Sequence, residues 1–126
     1  MPNRFRDWLA QAVRDLEQAR SSQREGRHEW ACFASHQAAE KAVKALHLFR
    51  NQEAWGHIIS RLLIQLPTPV PADIVEKSRV LDSYSMPTRY ANSHPEGPPF
   101  EHYGSLQSLE AIKYASEILE FCRSQM

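Results

Sequence analysis

At 126 residues, 42% of them hydrophobic and 24% charged, the chain suits one domain, residues 1–126, around a single core. Fifteen basic residues balance fifteen acidic ones, which excludes a whole-protein field drawing in a polyanion; any nucleic-acid contact must come from a local cluster. No apolar run approaches the roughly 20 residues of a membrane span, and the N-terminus is amphipathic where a signal segment would be apolar. The expected compartment is therefore the cytoplasm.

From Arg4 to about Glu25, apolar residues recur at Phe5, Trp8, Leu9, Ala12, Val13, Leu16 and Ala19. Steps of three and four place them on one helical face, and Gly26 can end the helix in a left-handed turn. A second helix is expected from Arg27 or His28 to Asn51, with a wide arc rich in alanine (Ala31, Ala34, Ala38, Ala42, Ala45) that Phe33, Ala39 and Val43 broaden. So many small residues imply close approach to more than one neighbour, so this is the expected central helix. On its flank His36, Glu40, Lys44 and His47 form a polar strip, read as a solvated or dimer-facing edge in preference to a ligand site.

Gly56 interrupts the chain before a short helix from about His57 to Leu66, and Pro67, Pro69 and Pro71 stiffen the next connection. A fourth helix runs from Ala72 to about Ser85 with Ile74, Val75, Ser78, Val80, Leu81 and Tyr84 inward. The last begins with Ser105 as its N-cap and turns Leu106, Leu109, Ile112, Ala115, Ile118, Leu119 and Cys122 inward. No stretch alternates like a strand. The fold class is all-α: an antiparallel up-and-down helical bundle of four long helices plus one short helix. Trp8, Trp30 and Trp55 read as core or interface aromatics. Cys32 and Cys122 read as buried apolar groups, with a disulfide between them left open.

The segment Leu81–Tyr103 breaks the pattern, because four of the eight prolines fall in it and proline cannot continue a helix. It also holds Tyr84, Arg89, Tyr90, Asn92, His94, His102 and Tyr103, a density of polar and aromatic groups that marks it as the candidate site. An imidazole can move protons near neutral pH, and a guanidinium can grip phosphate through a planar fork. Arg89 and His94 are thus the candidate catalytic pair. Tyr90 and Asn92 are candidate substrate-binding groups. His102 and Tyr103 complete the candidate substrate-binding set, although they also read as a pair packing the loop onto the last helix. No phosphate loop, zinc motif or nucleophile elbow appears; neither a metal nor a cofactor is expected.

Three blocks, ACFASHQAAEKAVKALHL (residues 31–48), AWGHIISRLL (54–63) and LDSYSMPTRYANSHP (81–95), in this order and spacing, resemble the HEPN domain family. The resemblance implies a helical bundle. It also implies one of two activities: metal-independent endoribonuclease, often a toxin paired with a small nucleotidyltransferase, or non-catalytic binding of nucleotides or of a nucleotidyltransferase. Arg89-Tyr-Ala-Asn-Ser-His94 fits the Arg-x(4–6)-His motif of the nuclease members. Glu96 stands where some toxins carry a tyrosine that the partner adenylylates, and Pro95 follows the histidine directly. A two-fold dimer placing two Arg/His pairs in one cleft is expected, as is RNA or a nucleotide as ligand. A purely structural dimerising bundle remains the third alternative.

Overall fold

The computed structural model describes residues 3–126, and among these every regular element is helical. Helix α1 spans Phe5–Arg24, α2 His28–Phe49, α3 Ile59–Ile64, α4 Ala72–Asp82 and α5 Ser105–Ser124. Between α4 and α5 lie two single 3-10 turns, Ala91–Ser93 and Pro99–Glu101. Helix α2 is the centre: it packs along α1 on one side and α5 on another, while α3 and α4 close the remaining flank.

The chain's small residues make this placement possible. Ala31, Ala38, Ala39, Ala42 and Ala45 of α2 have no exposed surface, so α1 and α5 approach close to the α2 backbone. Larger groups fill the space between them: Leu16 from α1, Leu46 from α2, Ile59, Leu62 and Leu63 from α3, Leu81 from α4, and Ile118 and Leu119 from α5. Burying one such side chain contributes about 1.5–3 kcal/mol.

The ends of α1 and α2 share one device. Gly26 (φ 77°) and Asn51 (φ 58°) occupy the left-handed region. The N–H groups of Arg27 and Gln52 then reach back to the carbonyls of Ser22 (2.8 Å) and His47 (2.9 Å), which satisfies carbonyls that the helix end would strand. Asp82, the last residue of α4, caps α3 from outside: its carboxylate accepts from the N–H of Ile59 (2.6 Å), the N–H of Ser60 (3.2 Å) and the Ser60 hydroxyl (2.7 Å).

Several expectations need correction. Helix α4 stops at Asp82, short of Ser85, because the N–H groups of Ser83 and Tyr84 bond three residues back, to Val80 and Leu81, and tighten the turn. Ser105 is the first helical residue and not the cap; Gly104 holds the cap position, its N–H donating to Gln107 Oε1 at 2.8 Å. Leu106 (86% exposed) and Leu109 point outward, because the first turns of α5 direct Ser108, which is fully buried against His28 of α2, toward the bundle and leave the two leucines on the other face. None of the three tryptophans belongs to the core of the protomer, and Trp55 is 79% exposed. The strip His36, Glu40, Lys44 and His47, expected at a solvated or dimer-facing edge, is buried. The loop before α3 covers part of it, and two of its members clamp that region: His36 Nε2 donates to the His57 carbonyl (3.2 Å) and His47 Nε2 to the Leu62 carbonyl (2.7 Å).

Cys32 and Cys122 are buried, as expected, and free. Burial pushes the Cys122 thiol up to about 12; Cys32 also reaches about 12, by burial first and then by the nearby Glu29 and Glu110 carboxylates. No helix among the described residues is long and apolar enough to cross a membrane.

Candidate functional site

Between α4 and α5 the backbone is organised by its own carbonyls. Thr88, buried, donates its hydroxyl to the Tyr84 carbonyl (2.9 Å), while the N–H groups of Arg89 and Tyr90 return to the Met86 carbonyl. This isolated helical turn presents Arg89 toward α2. Its Nε donates to the Ser85 carbonyl (3.0 Å), and Nη2 lies 3.5 Å from the Met86 sulfur. The guanidinium sits 4.1 Å from the ring centre of Phe33 and 5.2 Å from that of Tyr90, so stacking holds its plane. Among the described residues no carboxylate pairs with it. A fixed cation with no internal counter-ion is suited to an external anion.

The two loop histidines are held in the same way. His94 Nε2 donates to the Pro87 carbonyl and His102 Nε2 to the Glu96 carbonyl, each at 2.6 Å. A carbonyl can only accept, so in each neutral ring the proton is on Nε2 and the lone pair on Nδ1. The rings lie parallel, with centres 4.1 Å apart and planes 3° apart. Tyr103 meets His94 edge-on at 5.9 Å and Tyr84 likewise at 5.9 Å, wedging the pair against the bundle. Gly97 (φ 79°) makes the bend between them. Burial pushes the Tyr84 hydroxyl up to about 12 and raises that of Tyr103, so both phenols stay protonated at neutral pH.

The sequence-predicted residues therefore fall into two adjoining groups. Arg89 lies over both Phe33 and Tyr90; His94, His102 and Tyr103 form one cluster, anchored through Pro87, two residues from Arg89. Asn92 joins neither: it lies exposed in the Ala91–Ser93 turn with no hydrogen bond to its side chain among the described residues. In the sequence Phe33 is only a flank of the alanine arc, and nothing in its spacing signals that it carries a guanidinium. A cleft of about 450 Å³ between α1 and α2 is lined by Gln18, Trp30, Phe33, Gln37 and Lys41 among others and meets the loop cluster only through Phe33. No group of three or more metal-ligating side chains occurs among the described residues.

The family model of the HEPN domain matches residues 5–125. The chain belongs to the HEPN domain family. Three solved structures are similar to this HEPN chain. TT1696 from Thermus thermophilus is 50% identical, with a TM-score of 0.97, 99% of this chain and 100% of that one being covered. ST0689, described as an archaeal HEPN homologue, is 43% identical with a TM-score of 0.85 over 99% and 98% of the two chains. A HEPN domain protein from Thermotoga maritima is 31% identical with a TM-score of 0.76 over 94% and 95%. No curated protein matches the chain. The helical bundle expected from periodicity, and the HEPN membership suggested by the three sequence blocks, are thus established; the family includes nucleotide-related and ribonuclease-type members.

Proposed function

We propose that this HEPN protein is a metal-independent endoribonuclease acting through Arg89, His94 and His102. The observation that carries the reading is the stacked imidazole pair, each ring fixed by a backbone carbonyl and each with Nδ1 unengaged. Cleavage of RNA without a metal needs one group to take the proton of a 2′-hydroxyl and another to give one to the leaving 5′-oxygen. A single histidine serves both tasks poorly; two adjacent ones divide them. The neutral ring of His94 removes the 2′-proton as the 2′-oxygen bonds to phosphorus. The P–O5′ bond breaks, and protonated His102 supplies the proton to the departing oxygen, leaving a 2′,3′-cyclic phosphate and a 5′-hydroxyl. Arg89 opposes the charge gathering on the phosphorane oxygens, and Tyr90 stacks a flanking base.

In a cell such an enzyme needs restraint, and a small nucleotidyltransferase partner would make it the toxin of a two-protein module. Glu96 offers that partner no hydroxyl to adenylylate, so inhibition would come from covering the loop. A homodimer bringing two loops into one cleft would double the set of groups. The test is incubation of the purified protein with RNA in excess chelator. Cyclic-phosphate ends are expected, with a loss of about 10²-fold or more in His94→Ala and His102→Ala. Intact RNA, or undiminished cleavage by His94→Ala, overturns the assignment.

A second reading, a non-catalytic nucleotide- or nucleotidyltransferase-binding module, is favoured by the 450 Å³ cleft between α1 and α2, which lies away from the histidines. Calorimetric titration with nucleotides and pull-down with a nucleotidyltransferase encoded beside it test that reading; silence in both counts against it.

A further inference from the structure

Among the groups that the proposed chemistry leaves unused, Met86 stands against Arg89 itself. It lies in the turn after α4, where its carbonyl accepts from the N–H groups of Arg89 (3.1 Å) and Tyr90 (3.2 Å). Pro87, next in the chain, restricts its backbone further, so the main chain that carries this side chain is fixed. A methionine ordinarily fills gaps in a core; this one is 56% exposed and lies outside the core cluster. Its sulfur instead accepts from Arg89 Nη2 at 3.5 Å. Met126, by contrast, packs partly against the bundle.

That contact is a poor one for a guanidinium. A thioether sulfur is a weak acceptor, and among the described residues the only other side-chain hydrogen bond of Arg89 runs from Nε to the Ser85 carbonyl. One oxygen added to the sulfur changes the balance. A methionine sulfoxide is polar and chiral, and its oxygen carries partial negative charge. A hydrogen bond donated to it by a cation is roughly twice as strong as a neutral one.

We infer that Met86 is a redox modification site coupled to Arg89: a hydroperoxide converts the thioether mainly into one sulfoxide epimer, whose oxygen then accepts from the guanidinium. A sulfur lone pair attacks one peroxide oxygen and the O–O bond breaks. The bonding pair leaves on the other oxygen, which takes the proton of the newly attached hydroxyl and departs, as water when the oxidant is hydrogen peroxide. The sulfur loses two electrons and the peroxide gains them. Arg89 Nη2–H steadies the departing oxygen. Because it stands on one side of the sulfur, the two lone pairs are not equivalent and one epimer is favoured. Engaged by the sulfoxide, Arg89 has less to offer an external anion, so oxidation acts as a brake. That consequence rests on the ribonuclease reading; the selective oxidation does not. Sulfoxide reductases restore the thioether, which makes the mark reversible.

The test treats the folded protein with hydrogen peroxide and follows its methionines by peptide mass spectrometry. Methionine sulfoxide reductases A and B, each of which reduces one epimer, sort the products. Met86 should gain one oxygen before Met126 does, with one epimer about threefold or more in excess of the other. The same chain oxidised in urea supplies the unbiased ratio, and Arg89→Ala, checked for folding by thermal melts, should return to it. Equal epimers in the folded parent, or an excess that persists without Arg89, overturns the inference. For the brake, the oxidised parent should cleave RNA about tenfold or more slowly, the loss of one charged hydrogen bond, and recover with the reductase that matches its epimer. Met86→Leu should cleave at the same rate before and after peroxide. An oxidised parent at full rate, or equal slowing of Met86→Leu, removes the brake. If no sample cleaves RNA, the nuclease reading and the brake fall together, and the epimer ratio still decides the modification.

Discussion

Replacing Asp82 with alanine tests how the short helix and the candidate loop are joined. One carboxylate accepts two backbone N–H groups and a hydroxyl from the start of α3, and α3 has only six residues, too few to persist in water unaided. Loss of a helix cap costs about 0.5–2 kcal/mol. Stranding the N–H of Ile59, a residue with no exposed surface, adds about 1–3 kcal/mol. Water reaches half-buried Asp82 and recovers part of this, so a net loss of about 2–3 kcal/mol is expected. At roughly 2.1 cal/mol/K per residue, unfolding of 126 residues carries an entropy of about 0.26 kcal/mol/K. The melting midpoint should therefore fall by about 8–12 °C in a calorimetric scan. Asp82→Asn, which keeps one acceptor, should lose about half as much. A shift below about 3 °C for the alanine variant would show that α3 is held by its apolar face alone, and would refute the capping argument.

Stability should also depend on pH through His36, whose proton affinity is lowered from the ordinary 6.5 chiefly by burial. The unfolded ring takes up a proton below that value where the folded one resists, so stability is complete above about pH 6.5 and declines as pH falls toward the folded value. Urea midpoints should drop from pH 7 to about 5.5, and His36→Gln should flatten the slope. Neither cysteine should react with iodoacetamide at pH 8 in the native protein, since burial holds both thiols near 12; labelling should follow global unfolding, and fast labelling would refute their placement. Ala42→Leu should destabilise by about 1–3 kcal/mol in urea titration, because Ala42 has no exposed surface. Arg89→Lys should cleave RNA nearly as poorly as Arg89→Ala, for an ammonium cannot reproduce a planar group stacked on Phe33.

Local pattern carries most of the fold. Three-and-four spacing marks α1, α2 and α5, and glycine at position 26 and proline at 71 bound helices where the backbone requires them. The pattern fails where burial depends on partners distant in sequence. Leu106 and Leu109 extend the apolar stripe of α5, but its first turns put buried Ser108 against α2 and leave the leucines on the outer face. Conversely, His36 and Glu40 look like a solvated edge until the loop around His57 folds over them. The candidate loop is legible as a cluster, because prolines and polar aromatics are dense there. Its internal order is not: the stacking of His94 on His102 depends on the bend at Gly97, and the seat of Arg89 depends on a phenylalanine 56 positions earlier. His57 has no partner nearby in the sequence to mark it, since Glu40 is 17 positions away.

Both loop imidazoles are tethered to main-chain oxygens, at Pro87 and Glu96, and to no side chain. Backbone oxygens survive every point substitution that spares the trace of the chain. Under the proposed cleavage, relatives could therefore exchange the residues this bend displays and so alter which sequences they attack, while the two rings keep their aim. Diversification of target and retention of chemistry would then proceed independently within the same twenty or so residues.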